Sequence, residues 1–205
     1  MTISKEMDII QDALYFDQVP NAWAIRAYPS LYSLGQWYCD LLSRIRGLES
    51  WVIDFKLPCP VWIGGLFNPQ SFLTAIMQTT ARKNELPLDK MILIIDETKR
   101  LDEIGAQTMM GLSGAFCSGF FLEGARWDCR ENQLVESKLK EITQSMPVWL
   151  IKAVPLDRRN DITVYECPVY KTKLRGSTYV WTFNLKTREN PLNWIIGGVC
   201  LLLQV

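Results

Sequence analysis

A helical period of apolar positions runs through the first third of the chain. In SKEMDIIQDALYF, Met7, Ile10 and Leu14 fall on one face. Val19-Pro20 sets the stop, because proline pushes the residue before it out of the α region. A tryptophan-containing connection leads into AYPSLYSLGQWYCDLLSRIRGLESW. There Leu34, Trp37, Leu41, Ile45 and Leu48 recur every three or four residues, with Pro29 and Ser30 near the start. On this reading Asp40, Arg44 and Glu49 occupy the solvated face of the helix.

PVWIGGLF, residues 60–67, is short and apolar and predicts a buried strand. NPQSFLTAIMQTTARKN follows with helix punctuation at both ends. Asn68 suits the N-cap and Pro69 the first helical position, where its missing N–H costs nothing. Phe72, Leu73, Ile76 and Met77 form the apolar stripe. Arg82 and Lys83 fall in the last turn, Asn84 caps the end, and Pro87 prevents continuation.

From Lys90 onward the pattern turns to β. MILIID, GAFCSGFFLEGARW with a bend at Gly119, and MPVWLIKAVP are strand candidates. YECPVYKTKLRGSTYVWTFNL reads as a hairpin about Arg175-Gly176, with Tyr179, Trp181 and Phe183 alternating against Val180, Thr182 and Asn184. NWIIGGVCLLLQ is expected as a closing strand, and Lys99–Gly114 as a loop. Helices followed by about six antiparallel strands predict an α+β fold, its strands curled into a barrel or a strongly twisted sheet.

Composition narrows the chemistry more than the fold. The protein has 205 residues, 22 basic against 22 acidic side chains and no histidine. Zero net charge gives it no overall attraction to nucleic acid or anionic lipid, and neither is expected as a partner. Without histidine there is no Ser-His-Asp or Cys-His arrangement, and the commonest general base and zinc ligand are missing. The six cysteines, Cys39, Cys59, Cys117, Cys129, Cys167 and Cys200, form no C-x-x-C pair and read as reduced, mostly buried thiols. The longest apolar run, WIIGGVCLLLQV, is too short to span a bilayer. Eight tryptophans point to a dense aromatic core or to a docking surface.

One stretch tests the chemistry directly. GGLFNPQS, residues 64–71, imitates a phosphate loop, G-x-x-x-x-G-K-[ST], with Gly64 first and Ser71 last. Pro69 stands where the second glycine belongs and removes a backbone donor, and Gln70 replaces the lysine. Gly64 and Gly65 are therefore expected to serve close packing or a tight bend. Asp96-Glu97 at a strand end, beside Asp102-Glu103, read as solvated acids rather than a catalytic pair. Arg126, Lys171, Lys173 and Arg175 lie near aromatic residues but read as solvated cations rather than a platform for single strands. No catalytic, cofactor-binding or metal residue is assigned, and no cofactor is expected.

Several blocks taken together resemble the C-terminal region of dynein heavy chains. They are VWIGGLFNPQSFLTAIMQTTARKNELPLDKM, GFFLEGARWD, MPVWLIKAVP, YECPVYKTKLRGSTYVWTFNLKT and the closing GGVCLLLQ, in the family's order. The resemblance is greater to axonemal heavy chains, particularly the outer-arm type, than to cytoplasmic ones. It implies a helical part over 1–89 and an incomplete antiparallel β-barrel over 90–205. It also implies a non-catalytic structural and regulatory region that packs on the AAA+ ring of a minus-end-directed microtubule motor. Other dynein subunits are further possible partners, and the location implied is the cytoskeleton of the cilium axoneme within the cytoplasm. The nucleotide sites and microtubule-binding tip lie upstream in that family. Met1 falls partway into the family's region, so a short gene product, a partial gene model or an excised piece is expected. The alternative reading is an independent protein-binding module that acts without a motor.

Overall fold

The computed structural model describes residues 5–55, 57–97, 114–156 and 163–205. It divides into two compact units, Met1–Lys56 and Leu57–Val205.

The first unit contains helices α1 (Lys5–Tyr15), α2 (Asn21–Ala24) and α3 (Leu34–Asp54). α1 ends ahead of Val19-Pro20, as the proline requires. None of its residues is fully buried, and Met7 and Leu14 from its apolar stripe are exposed. α3 begins four residues beyond Ser30, which instead accepts a bond from the Tyr32 N–H through its hydroxyl. Its N-cap residue, Ser33, makes no cap bond with its hydroxyl. Asp17 replaces that cap: its backbone carbonyl accepts from Leu34 N at 3.0 Å and its carboxylate from Gly35 N at 3.2 Å. A negative charge there also opposes the positive end of the helix dipole.

Arg44 is not solvated, contrary to the sequence reading. It is 4% exposed, its Nε lies 2.6 Å from Asp40 Oδ2, and its guanidinium stacks 3.6 Å from the Tyr28 ring centroid. The Trp37 ring stacks with both Trp23 and Tyr28, with centroids 6.3 and 6.4 Å away. Ile45, expected inside, is 40% exposed. Flat rings from residues 23–28 cover the α3 face that carries Trp37 and Arg44. A guanidinium fits such a surface because it is planar, weakly hydrated and attracted to the π face. Burial and the bond to Asp40 push the Tyr28 phenol well above its ordinary pKa.

In the second unit, β1 (Val61–Trp62) leads through one 3-10 turn into α4 (Pro69–Lys83). The strands that follow are β2 (Met91–Glu97), β3 (Gly114–Ser118), β4 (Phe121–Glu123), β5 (Arg126–Asp128), β6 (Gln133–Val135) and β7 (Thr143–Ser145). β8 (Trp149–Pro155), β9 (Val164–Tyr170), β10 (Tyr179–Lys186), a helix α5 (Pro191–Ile196) and β11 (Cys200–Leu202) complete it. Residues 98–113, which include most of the expected loop together with Asp102 and Glu103, lie outside the described residues; Gly114 opens β3.

One sheet runs β1-β3-β8-β2, another β10-β9-β11-β4-β7, and β5 pairs with β6. The α+β class is as expected. The pairing is not wholly antiparallel: β1 lies parallel to β3, with Val61 opposite Cys117, and β9 parallel to β11, with Val169 opposite Leu201. Parallel neighbours need a long connection, which α4 with β2 supplies in the first case and β10 with α5 in the second. Among the described strands no ring of ladder bonds closes. β2 and β10, the facing edges of the two large sheets, run side by side, and α4 packs on β2, β3, β8 and β10.

The core is aromatic at its centre. Phe120 lies 5.2 Å from Trp149 and 6.0 Å from Phe183, and Trp127 lies 6.1 Å from Trp149, all between ring centroids. The β9–β10 hairpin pairs Phe183 with Cys167, but a bulge between Tyr179 and Trp181 breaks the expected alternation. Val180 turns inward with Phe183 and Leu185, while Tyr179 is exposed. An extra residue in one strand reverses which face each side chain takes.

The closing segment departs furthest from expectation, since α5 precedes β11. The Asn190 carboxamide oxygen accepts from Leu192 N at 3.0 Å, Pro191 takes the first helical position, and Gly197 with Gly198 (φ 63°) ends the turn. This Asn-Pro start and Gly-Gly stop is helix punctuation that outweighed the apolar run.

Candidate functional site at the strand-to-helix joint

The glycine pair is built around an indole. A Cβ on Gly64 would stand 2.8 Å from Leu203 O and 3.0 Å from Trp62 Nε1, and one on Gly65 would strike Trp62 Cε3 at 2.4 Å. From the other side, Gly119 (φ 89°) would place a Cβ 2.5 Å from Trp62 Cδ1. Three glycines thus let backbone close around one tryptophan, so the pair serves packing. Val61 and Ile63 beside it are fully buried.

The start of α4 is already occupied by the protein itself. Asn68 Oδ1 accepts from Ser71 N at 3.2 Å, Pro69 contributes no donor, and Leu73 turns into the core at 0% exposure. Gln70 is exposed and its backbone carbonyl accepts from the Thr74 hydroxyl. At the far end Asn84 Nδ2 donates to Thr80 O at 2.8 Å. This capped joint positions a helix on a sheet.

The other residues considered from the sequence are dispersed. Asp96 pairs with Lys152 on the neighbouring strand, and Glu97 continues the backbone of β2 opposite Trp149. Arg126 Nε lies 3.9 Å from Glu141, Lys171 Nζ donates to Phe67 O at 3.1 Å, and Arg175 Nη2 meets Glu123 Oε2 at 2.8 Å. Lys173 is exposed. Three of the four cations are therefore tied to three different acceptors, not aligned along an aromatic groove. Among the described residues, no cluster of cysteines and acids is arranged to hold a metal, and no helix is long and apolar enough to cross a membrane.

Two polar clusters escaped sequence reasoning. One is Tyr28, Asp40 and Arg44, for which the i, i+4 spacing of Asp40 and Arg44 was the available signal. The other gathers Glu123, Arg175 and Cys200. Cys200 Sγ lies 3.6 Å from Glu123 Oε2, the oxygen that also accepts from Arg175. Burial pushes the Cys200 thiol up to about 11, and Arg175 opposes that rise. The Arg175 guanidinium is held still more firmly protonated by its bond to Glu123. Burial likewise raises the thiols of Cys117 and Cys167, so these sulfurs are protonated and unreactive at neutral pH.

Comparison with known proteins gives this architecture its family. The family model described as the C-terminal domain of the dynein heavy chain matches residues 1–203. Mouse "Dynein axonemal heavy chain 17" is 55% identical over all 205 residues, and "Dynein beta chain, ciliary" of Heliocidaris crassispina is 54% identical over the same span. "Dynein beta chain, flagellar outer arm" of Chlamydomonas reinhardtii is 45% identical over 206 aligned positions. In each comparison the whole of this protein aligns with about 4% of the relative's length. On a match that runs through both units and every sequence block described above, the protein belongs to the family of C-terminal domains of dynein heavy chains.

Proposed function

We propose that this protein is a non-catalytic structural and regulatory region of an axonemal dynein heavy chain, packing on the AAA+ ring of a microtubule motor in the cilium or flagellum. The observation that carries this reading is the match of the C-terminal domain family across residues 1–203, with relatives named as axonemal, ciliary and flagellar dyneins. The structure is in keeping with it. The loop that imitates a phosphate site is filled by its own cap and by Trp62. The first unit leaves large apolar side chains exposed, among them Tyr15, Phe16, Ile53 and Phe55, a surface suited to cover by a partner. We further take the two large sheets as walls of an incomplete barrel, with β2 and β10 at its seam and α4 spanning it.

The test uses an axonemal heavy chain truncated before its C-terminal region, mixed with this protein. Co-elution of the two, with altered microtubule-gliding speed of the truncated motor, is the expected outcome. If the added protein leaves the motor's elution and gliding unchanged, the ring-packing reading fails. Stable and selective binding to a protein outside the motor would then support the alternative, an independent binding module.

A further inference from the structure

The loop between β9 and β10, residues 171–178, combines an unusual backbone with buried Thr172 and Thr178. Arg175 holds φ 53° and ψ −140°, and Gly176 follows at φ 54°. Glycine adopts such a backbone readily, whereas a residue bearing a side chain there needs its surroundings to hold it. Here the holding contacts are explicit. Arg175 N donates to Thr172 O at 3.1 Å, and Thr178 N and Oγ1 donate to Arg175 O at 3.1 and 3.0 Å. The guanidinium crosses to Glu123 Oε2 at 2.8 Å, and Lys171 Nζ reaches Phe67 O at 3.1 Å. The loop is thus latched to the end of β4 by one charged pair.

Ser177 is exposed at the tip of this latched loop, next to Thr178, which is buried with its hydroxyl already donating. The segment leading to it reads Lys171-Thr172-Lys173-Leu174-Arg175-Gly176. Lys173 and Leu174 are exposed four and three residues before the serine, and Arg175 stands two before. No other exposed serine among the described residues combines these features. Ser43 and Ser50 donate to carbonyls of α3, and Ser71 lies in the first turn of α4. Ser137 has its lysines on the following side, and Ser145 follows Glu141-Ile142-Thr143-Gln144, without a basic residue.

We propose that Ser177 is a phosphoacceptor for a protein kinase that selects basic residues N-terminal to its target, and that the phosphate releases the Arg175–Glu123 latch. An acidic kinase groove would recognise Lys173 and Arg175 by charge-assisted hydrogen bonds. In the transfer, a bond forms between Ser177 Oγ and the γ-phosphorus of a nucleoside triphosphate, and the bond from that phosphorus to the bridging oxygen breaks. The hydroxyl proton passes to the kinase's base, and the nucleoside diphosphate leaves. The product carries a charge of about −1.5 to −2, two residues from Arg175. That anion competes with Glu123 for the guanidinium, and the loop loses the contact that holds its unfavourable backbone.

The experiment incubates the whole 205-residue protein with a basophilic serine kinase and labelled magnesium-ATP, followed by site mapping and amide hydrogen exchange. Phosphate on Ser177, absent from the Ser177→Ala variant, is expected. After modification the amides of Arg175 and Thr178 should exchange about fivefold faster, as befits loss of a partly exposed ion pair. Glu123→Gln should speed the same amides without any phosphate. No incorporation, incorporation at another residue, or unchanged exchange in the phosphorylated wild-type protein would each overturn the proposal.

Discussion

A single methyl group is enough to probe the joint between β1 and α4. At Gly65 it would stand 2.4 Å from the Trp62 ring, whereas at Gly47, within α3, nothing lies within 4 Å. Overpacking a closed site typically costs about 1–3 kcal/mol, and replacing an exposed helical glycine by alanine gains about 0.5–1 kcal/mol. Gly65→Ala should therefore lower the urea midpoint and Gly47→Ala raise it. Equal effects would mean that the glycine pair is not packed on Trp62. Titration gives a second residue-scale test. The Cys200 thiol is raised to about 11 by burial, against an ordinary value of 9.0. A raised folded value contributes stability that is fully present below the unfolded pKa and is lost as pH rises through the folded one. Buried Cys117, Cys167 and Tyr165 shift in the same direction. Stability measured by denaturant should decline from about pH 9 to 11, and a curve rising over that window would contradict these burials.

Elements were legible where their ends bear specific chemistry. α4 follows from Asn68, Pro69 and Asn84, whose side chains or ring do the work expected of them. The same Asn-Pro signal stands at Asn190-Pro191, yet the apolar run after it masked α5, because six residues are too few to display a helical period. In α3 the period was legible and the buried face was not. Counting Arg44 as polar put it outside, whereas the rings of Tyr28 and Trp37 make a surface on which a paired guanidinium is well held. That arrangement has a measurable signature. Arg44→Ala leaves Asp40 facing aromatic rings without its partner and should cost about 2–4 kcal/mol, read as faster amide exchange along α3. The double variant Asp40→Leu with Arg44→Met should recover most of that loss. Failure of the double variant to recover would make the pair itself the stabilising element, not the packing around it.

At the scale of the molecule, the order of helices before strands sets the class, and the absence of a histidine removes the Ser-His-Asp and Cys-His arrangements on the sequence alone. Strand partners were beyond reach for a physical reason. A parallel neighbour such as β11 beside β9 is fixed by a connection through β10 and α5, not by a local pattern. The bulge at Tyr179–Trp181 likewise changes face without changing residue type. The Glu123–Arg175–Cys200 cluster joins three segments distant in sequence and could only be seen once β4 and β11 paired. Family identity, by contrast, is distributed over residues 1–203 and needs no pairing information.

The proposed role, a non-catalytic region packing on a dynein ring, requires this protein to bind a motor that lacks its own C-terminal region. Its most direct measurement is a binding titration of the protein onto an axonemal heavy chain truncated before its C-terminal region. Saturable one-to-one association is the result expected. No association at any reachable concentration, with the protein folded and the truncated motor active, would rule out that packing.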